Sequence, residues 1–96
     1  MIIREVLMEI DTAKEREFVA FWHSEYRKAM AGQKGFVGAE LLKQQEKSNS
    51  YQMLLRFRSS EDAAQWRESD DHTRLGPLLK EYAAVMELRV FDLAEW

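Results

Sequence analysis

The run Gly35-Phe36-Val37-Gly38-Ala39-Glu40-Leu41-Leu42 is followed, after a polar interval, by Tyr51-Gln52-Met53-Leu54-Leu55-Arg56-Phe57-Arg58. Ser59-Ser60-Glu61-Asp62-Ala63-Ala64-Gln65-Trp66-Arg67-Glu68-Ser69-Asp70-Asp71-His72 comes next. Two apolar runs around the polar segment from Gln44 to Ser50 form a β-hairpin signal, with a loop too long for a two-residue turn. Ser59 and Ser60 offer N-caps for a helix over about Ser60 to Glu68 that carries Trp66. Strand, turn, strand and capped helix is the middle of a βαββαβ unit.

The flanks complete that unit. Ile2 to Ile10 alternates with period two, placing Val6, Met8 and Ile10 on one face and Ile3, Leu7, Glu5 and Glu9 on the other. Thr12 with Glu15 fits a capping box. Phe18, Phe21, Trp22, Tyr26, Ala29 and Met30 then recur at helical spacing, and Gly32 is a C-terminal stop. Phe36–Lys43 and Tyr51–Arg58 are read as the second and third strands. Ser69 caps a further helix, with Asp70 and Asp71 favourably placed at its positive N-terminal end. Gly76-Pro77 predicts a break or kink there, because proline disfavours helical geometry in the residue before it. Leu75, Leu78, Leu79 and Tyr82 pack this region on the core. Val85 to Leu93 is the last strand, with Met86, Leu88 and Val90 on one face and Glu87, Arg89, Phe91 and Leu93 on the other.

The order β-α-β-β-α-α-β predicts an α+β, ferredoxin-like fold in which a four-stranded antiparallel sheet carries its helices on one face. The uncovered face would hold Ile3, Leu7, Leu54, Phe91 and Leu93 among Glu5, Glu9, Arg56 and Arg89. It is too apolar for water and too charged for a monomer core. A homodimer resolves this, with charges pairing across the two-fold axis.

Ninety-six residues make one domain, 1–96, and a chain this short gains from oligomerisation. With 14 basic against 17 acidic residues the net charge is −3, which gives no electrostatic case for nucleic acid. The absence of cysteine excludes disulfides, thiolate catalysis and Cys-ligated zinc. Charge follows Met1-Ile2-Ile3 at once in Arg4 and Glu5, so no signal-peptide core is expected there, and no window approaches a membrane span. These features point to a soluble cytoplasmic domain. The two histidines make no paired metal motif, and the scattered glycines make no phosphate loop.

Chemistry must therefore come from a pocket with a few polar groups among apolar ones. His72 is a candidate proton shuttle or, alternatively, a capping histidine of the turn after Ser69. His23, beside the apolar stripe, reads as structural. Trp66 either stacks on a flat aromatic substrate or anchors the short helix in the core, and Trp22 and Tyr26 carry the same ambiguity. Arg89 and Arg56 could hold a substrate anion or pair with Glu5, Glu9 or Glu87. Tyr51 and Tyr82 could hydrogen-bond a phenol or quinone, or be structural.

Gly35-Phe36 opening a strand, a strand ending at Ser59-Ser60-Glu61-Asp62, and Trp66-Arg67-Glu68-Ser69 followed shortly by His72 resemble the antibiotic biosynthesis monooxygenase superfamily of dimeric α/β-barrel proteins. The resemblance covers nearly the whole chain. It implies two sheets facing each other in a barrel-like dimer. It also implies one of three tasks: O₂-dependent oxidation of phenolic compounds without metal or flavin, haem degradation, or no catalysis. The haem-degrading branch is similar in having an Asn on the first strand, a Trp on the second helix and a His ligand about ten residues beyond that Trp. Trp66 matches, but Ile2–Ile10 contains no Asn and Gly76 stands where the ligand would be, with His72 only six residues beyond Trp66. On a continuous helix that spacing faces another direction. The leading expectation is a cofactor-independent monooxygenase for a small aromatic or quinol-like compound. In it Trp66 stacks on the ring, His72 accepts a proton and Arg89 steadies the oxyanion, while Trp22, Tyr26, Tyr51 and Tyr82 line the site. The alternatives are a non-catalytic ligand-binding dimer and a haem protein.

Overall fold

A computed structural model describes residues 1–46 and 49–95, with the backbone alone for Val85 and Met86. Lys47 and Ser48, which fall in the expected hairpin loop, and Trp96 lie outside the described residues. The strands are β1 (Ile2–Ile10), β2 (Phe36–Lys43), β3 (Ser50–Phe57) and β4 (Ala83–Asp92). They form one antiparallel sheet in the order β2-β3-β1-β4. The ferredoxin-like α+β fold expected from the alternation is the fold observed.

Between β1 and β2 runs a helical stretch composed of a 3₁₀ turn (Thr12–Lys14), α1 (Glu15–Phe21), a π-helical turn (Trp22–Tyr26) and α2 (Arg27–Ala31). Asp11, not Thr12, caps it: its carboxylate accepts from the Ala13 amide at 3.0 Å. An aspartate here satisfies a free N–H and places negative charge at the positive helix end, so no capping box is needed. At the π turn the Arg27 amide donates to the Trp22 carbonyl, one residue further back than in an α-helix. The wider turn lets Phe21, Trp22 and Tyr26 all reach the core, and each is buried.

After β3 come α3 (Ser60–Glu68) and α4 (Asp70–Tyr82). Ser59 and Ser69 cap them as expected, their hydroxyls accepting from the amides of Asp62 and His72 at 3.1 Å each. The expected break at Gly76-Pro77 is absent, and α4 runs through Pro77. Gly76 has no Cβ, which removes part of the clash a proline ring makes with the preceding residue. Leu75 and Leu79, buried on either side, hold the turn against the sheet.

The register explains which residues meet the helices. Ile2, Arg4, Val6 and Met8 lie opposite Phe57, Leu55, Met53 and Tyr51 of β3. That face carries the core, with Phe18, Met30, Phe57 and Leu75 wholly excluded from solvent. Burying each such side chain stabilises by roughly 1.5–3 kcal/mol. On the other face Ile3, Glu5 and Leu7 lie opposite Phe91, Arg89 and Glu87 of β4. Arg4 and Val6 lie opposite Val90 and Leu88, so β4 places Leu88 and Val90 on the helix side and Glu87, Arg89 and Phe91 on the far side; a register shift follows between Leu7 and Met8. Leu93 lies past the end of β4, its amide bonded to the Met1 carbonyl.

Charges on the far face pair within their own sheet. Arg56 bonds Glu40, and Arg89 bonds Glu5 at 3.2 Å and Glu87 at 2.9 Å. Direct antiparallel opposition of Glu5 and Arg89 supplies this pairing locally. Gly35, at φ 79°, is the one residue before β2 that must be glycine. A Cβ there would collide with the Asp62 side chain, so this turn and the start of α3 pack backbone to side chain. Among the described residues no helix is long and apolar enough to cross a membrane.

Candidate functional site

A cleft of about 190 Å³ opens between sheet and helices. Arg4 and Val6 of β1, Met53 and Leu55 of β3 and Leu88 of β4 form its sheet side. Tyr26, Trp66, His72, Gly76, Leu79 and Lys80 form its helix side. Two other hollows, one at the hairpin end lined by Leu42, Lys43, Gln44 and Tyr51 and one beside Asp11 and Asn49, are larger. The first lies between the ends of β1, β2 and β3, and the second beside the ends of β1 and α4. The 190 Å³ cleft joins a floor of buried Val6, Met53 and Leu55 to Arg4, Tyr26, His72 and Lys80.

The aromatic wall is built by the junction of α3 and α4. Six residues along an unbroken helix would separate Trp66 from His72. Here Ser69 leaves helical geometry, at φ −69° and ψ 155°. Its hydroxyl donates to the Trp66 carbonyl at 2.7 Å and accepts from the His72 amide at 3.1 Å. The two rings are thereby brought edge to face, with centroids 5.2 Å apart. Trp66 also meets Tyr26 edge to face at 5.6 Å, and Trp22 stacks behind Tyr26 at 5.8 Å. The separation expected from a continuous helix is thus reversed by the serine cap.

The electrostatics of the cleft are one-sided. Arg4, Tyr26, His72 and Lys80 are its titratable groups, and among the described residues no carboxylate lines it. Burial pushes the His72 imidazole below its ordinary 6.5, and the Arg4 and Arg67 guanidiniums add to the effect. His72 is therefore neutral at neutral pH. Burial pushes the Tyr26 phenol up to about 12, with Arg4 opposing, so it remains an O–H donor. Burial, then Arg67, lowers Arg4 itself, while Tyr26 opposes. A guanidinium stays charged at neutral pH all the same.

The candidates named from sequence divide cleanly. Trp66, His72 and Tyr26 line the cleft, and Trp22 supports Tyr26 from behind. Arg89 sits on the opposite face of the sheet, exposed and paired with Glu5 and Glu87. It cannot reach a ligand in this cleft. Tyr51 faces the core at the hairpin end, where its hydroxyl donates to Glu15 at 2.9 Å and Lys43 lies over its ring. Tyr82 packs among Phe18 and Phe21 at 6.3 and 5.3 Å. His23 is exposed, outside the cleft.

Arg4 is the residue the sequence reading passed over. The signal was present: the row Ile2, Arg4, Val6, Met8, Ile10 is apolar except for one cation, on the face that the helices cover. Among the described residues no acidic side chain forms an ion pair with it.

A haem does not suit the cleft. Gly76 lines it without offering a ligand atom, and β1 has no asparagine.

Together the fold and cleft define a small ferredoxin-like protein with a ligand-sized opening between sheet and helices. The chain belongs to the antibiotic biosynthesis monooxygenase family, whose model matches residues 1–76. Its structure is similar to that of a variant of SnoaB, a cofactor-independent oxygenase from Streptomyces nogalater. The TM-score is 0.89 at 18% identity over 99% of this chain and 94% of that one. It is also similar to HapK from Hahella chejuensis (TM-score 0.87, 13% identity, 100% and 96% of the two chains). A conserved protein from Methanosarcina mazei Go1 is a third (TM-score 0.81, 20% identity, 95% and 91%). At these identities the likeness is one of fold. No curated protein matches the sequence.

Proposed function

We propose that this protein is a cofactor-independent monooxygenase that oxidises a small aromatic or quinol-like compound in the cleft between Trp66 and the sheet. The observation that carries the reading is the pairing of a neutral, half-buried His72 with the buried ring of Trp66 across Ser69. A base and an aromatic wall are held together on an apolar floor. Family membership supports oxygenation, and the SnoaB likeness supports doing so without a cofactor.

In this reading the substrate ring lies on the floor formed by Val6, Met53 and Leu55, against Trp66. His72 takes the acidic proton of the substrate. The anion gives an electron to O₂, and the pair recombines as a hydroperoxide on the ring carbon, which the imidazolium protonates. Loss of water leaves a carbonyl, so one O₂ converts one phenol or quinol ring position to a quinone and one water. Tyr26, protonated, donates a hydrogen bond within the cleft. Oxygen uptake across a panel of phenols and quinols tests this. Uptake matched by quinone formation is expected, and no uptake above the buffer rate with any member overturns it.

The same reading includes a homodimer built on the far face of the sheet. Leu42 and Phe91 are 41% and 44% exposed there, beside half-buried Ile3, Leu7 and Leu54. Intra-sheet pairing of Glu5 and Glu40 with Arg89 and Arg56 matches these charges within one sheet, which lowers the cost of covering them.

A further inference from the structure

We propose that the cleft takes its ligand as an anion, a flat aromatic acid whose charged oxygen sits on the Arg4 guanidinium, and that Arg4 determines this specificity. The proposal rests on the binding site assigned above but not on oxygenation. Arg4 stands on the central strand β1, on the helix-covered face of the sheet, between Ile2 and Val6. Both neighbours on that row are buried. A cation there must be matched or solvated. Among the described residues no carboxylate pairs with it, and the other charged side chain lining the cleft, Lys80, is also basic.

The bias is local. The chain as a whole is acidic, with net charge −3, while among the described residues no acid lines the cleft. Burial and Arg67, which lower Arg4 below its ordinary value, mark a guanidinium that lacks its counter-charge. A planar fork that offers paired N–H donors suits a carboxylate or an ionised phenol better than a neutral carbonyl. Size limits the rest of the ligand: an apolar cavity of about 150 Å³ takes one benzene ring. A cleft of about 190 Å³ with an open rim at Lys80 and Leu88 therefore suits one to two fused rings.

The test uses the intact protein and calorimetric titration with three probes of one ring system: 1-naphthoate, 1-naphthol and neutral 1-naphthamide. At neutral pH the naphthoate is expected to bind about tenfold more tightly than the amide, or about 1.4 kcal/mol. Naphthol separates a carboxylate from a phenol source, since its preference should emerge only as pH rises toward its ionisation. In Arg4→Met the naphthoate preference should vanish while amide binding persists, and Arg4→Lys should restore part of it. Lys28→Met, on an exposed helix surface outside the cleft, should leave it unchanged. A second measurement needs no variant: saturating naphthoate should raise the His72 pKa in an NMR titration by neutralising Arg4, and naphthamide should not. Equal affinity for acid and amide in the wild type, failure of both probes to bind, or a preference that survives Arg4→Met would overturn the proposal. Oxygen uptake without any preference for acids would leave the oxygenase reading standing and remove this one. The opposite outcome would do the reverse.

Discussion

Trp66→Ala separates the two duties of that ring. Trp66 is 1% exposed and touches Tyr26 and His72 edge to face, yet it also borders the cleft. Truncating a fully buried tryptophan costs about 3–5 kcal/mol, including the cavity left behind. A domain of this size has only about 5–15 kcal/mol in total. Each kcal/mol moves the melting temperature of such a domain by roughly 4–8 °C, so the alanine variant should melt at least about 12 °C below wild type. Water entering the enlarged void through the polar rim at Lys80 places the cost toward the lower end. Trp66→Phe keeps a ring against Tyr26 and should lose much less. Thermal melts by circular dichroism, with and without naphthoate, give the answer. An alanine variant that melts within a few degrees of wild type would refute the anchoring argument. A phenylalanine variant indistinguishable from wild type in every ligand assay would remove Trp66 from the binding site and leave it a core residue.

Leu54→Glu, a charge placed on the uncovered face of the central sheet, should convert a dimer into a monomer or an insoluble chain; a wild type that sizes as a monomer at micromolar concentration contradicts the assembly. His72 should titrate below 6.5 by NMR and move back toward that value in Arg4→Met without reaching it, since burial is the larger cause and Arg4 the second. As its folded-state pKa lies below the unfolded one, the stability linked to it is present above about pH 6.5 and declines as pH falls through the folded value, and a stability that rises on acidification through that window is the contrary result. Haemin should bind weakly and without fixed stoichiometry; a tight equimolar complex lost in His72→Ala would show that His72 serves as an axial ligand.

The fold was legible because its signals are periodic and local. Alternation in Ile2–Ile10 and in the third strand set the buried faces, and Ser59 and Ser69 cap the helices as their positions suggest. The misreadings came where several residues act together. Pro77 stays inside α4 because Gly76 lacks a Cβ and the flanking leucines hold the turn. The π turn at Trp22–Tyr26 leaves no composition signature apart from its crowded aromatics. For the site, the aromatic candidates could be named from type and spacing, but their grouping could not. Arg89 and Arg4 look alike in sequence, each a cation within an alternating strand. Parity relative to the buried row distinguishes them: Arg89 shares a face with Glu5, and Arg4 shares one with Val6 and Met8. The approach of Trp66 to His72 depends on one serine leaving helical geometry, which spacing counted along a helix cannot reveal.

The central claim is that His72 in this cleft starts an O₂-dependent oxidation, and the most direct measurement compares oxygen uptake by wild type and His72→Gln on the same phenol and quinol panel. The account predicts uptake and quinone formation in equal amounts for the wild type, falling off at acid pH as His72 protonates. His72→Gln should show a loss of about 10²–10⁴-fold, the usual contribution of a positioned base. Equal rates for the two proteins, with unchanged pH profiles, would contradict it.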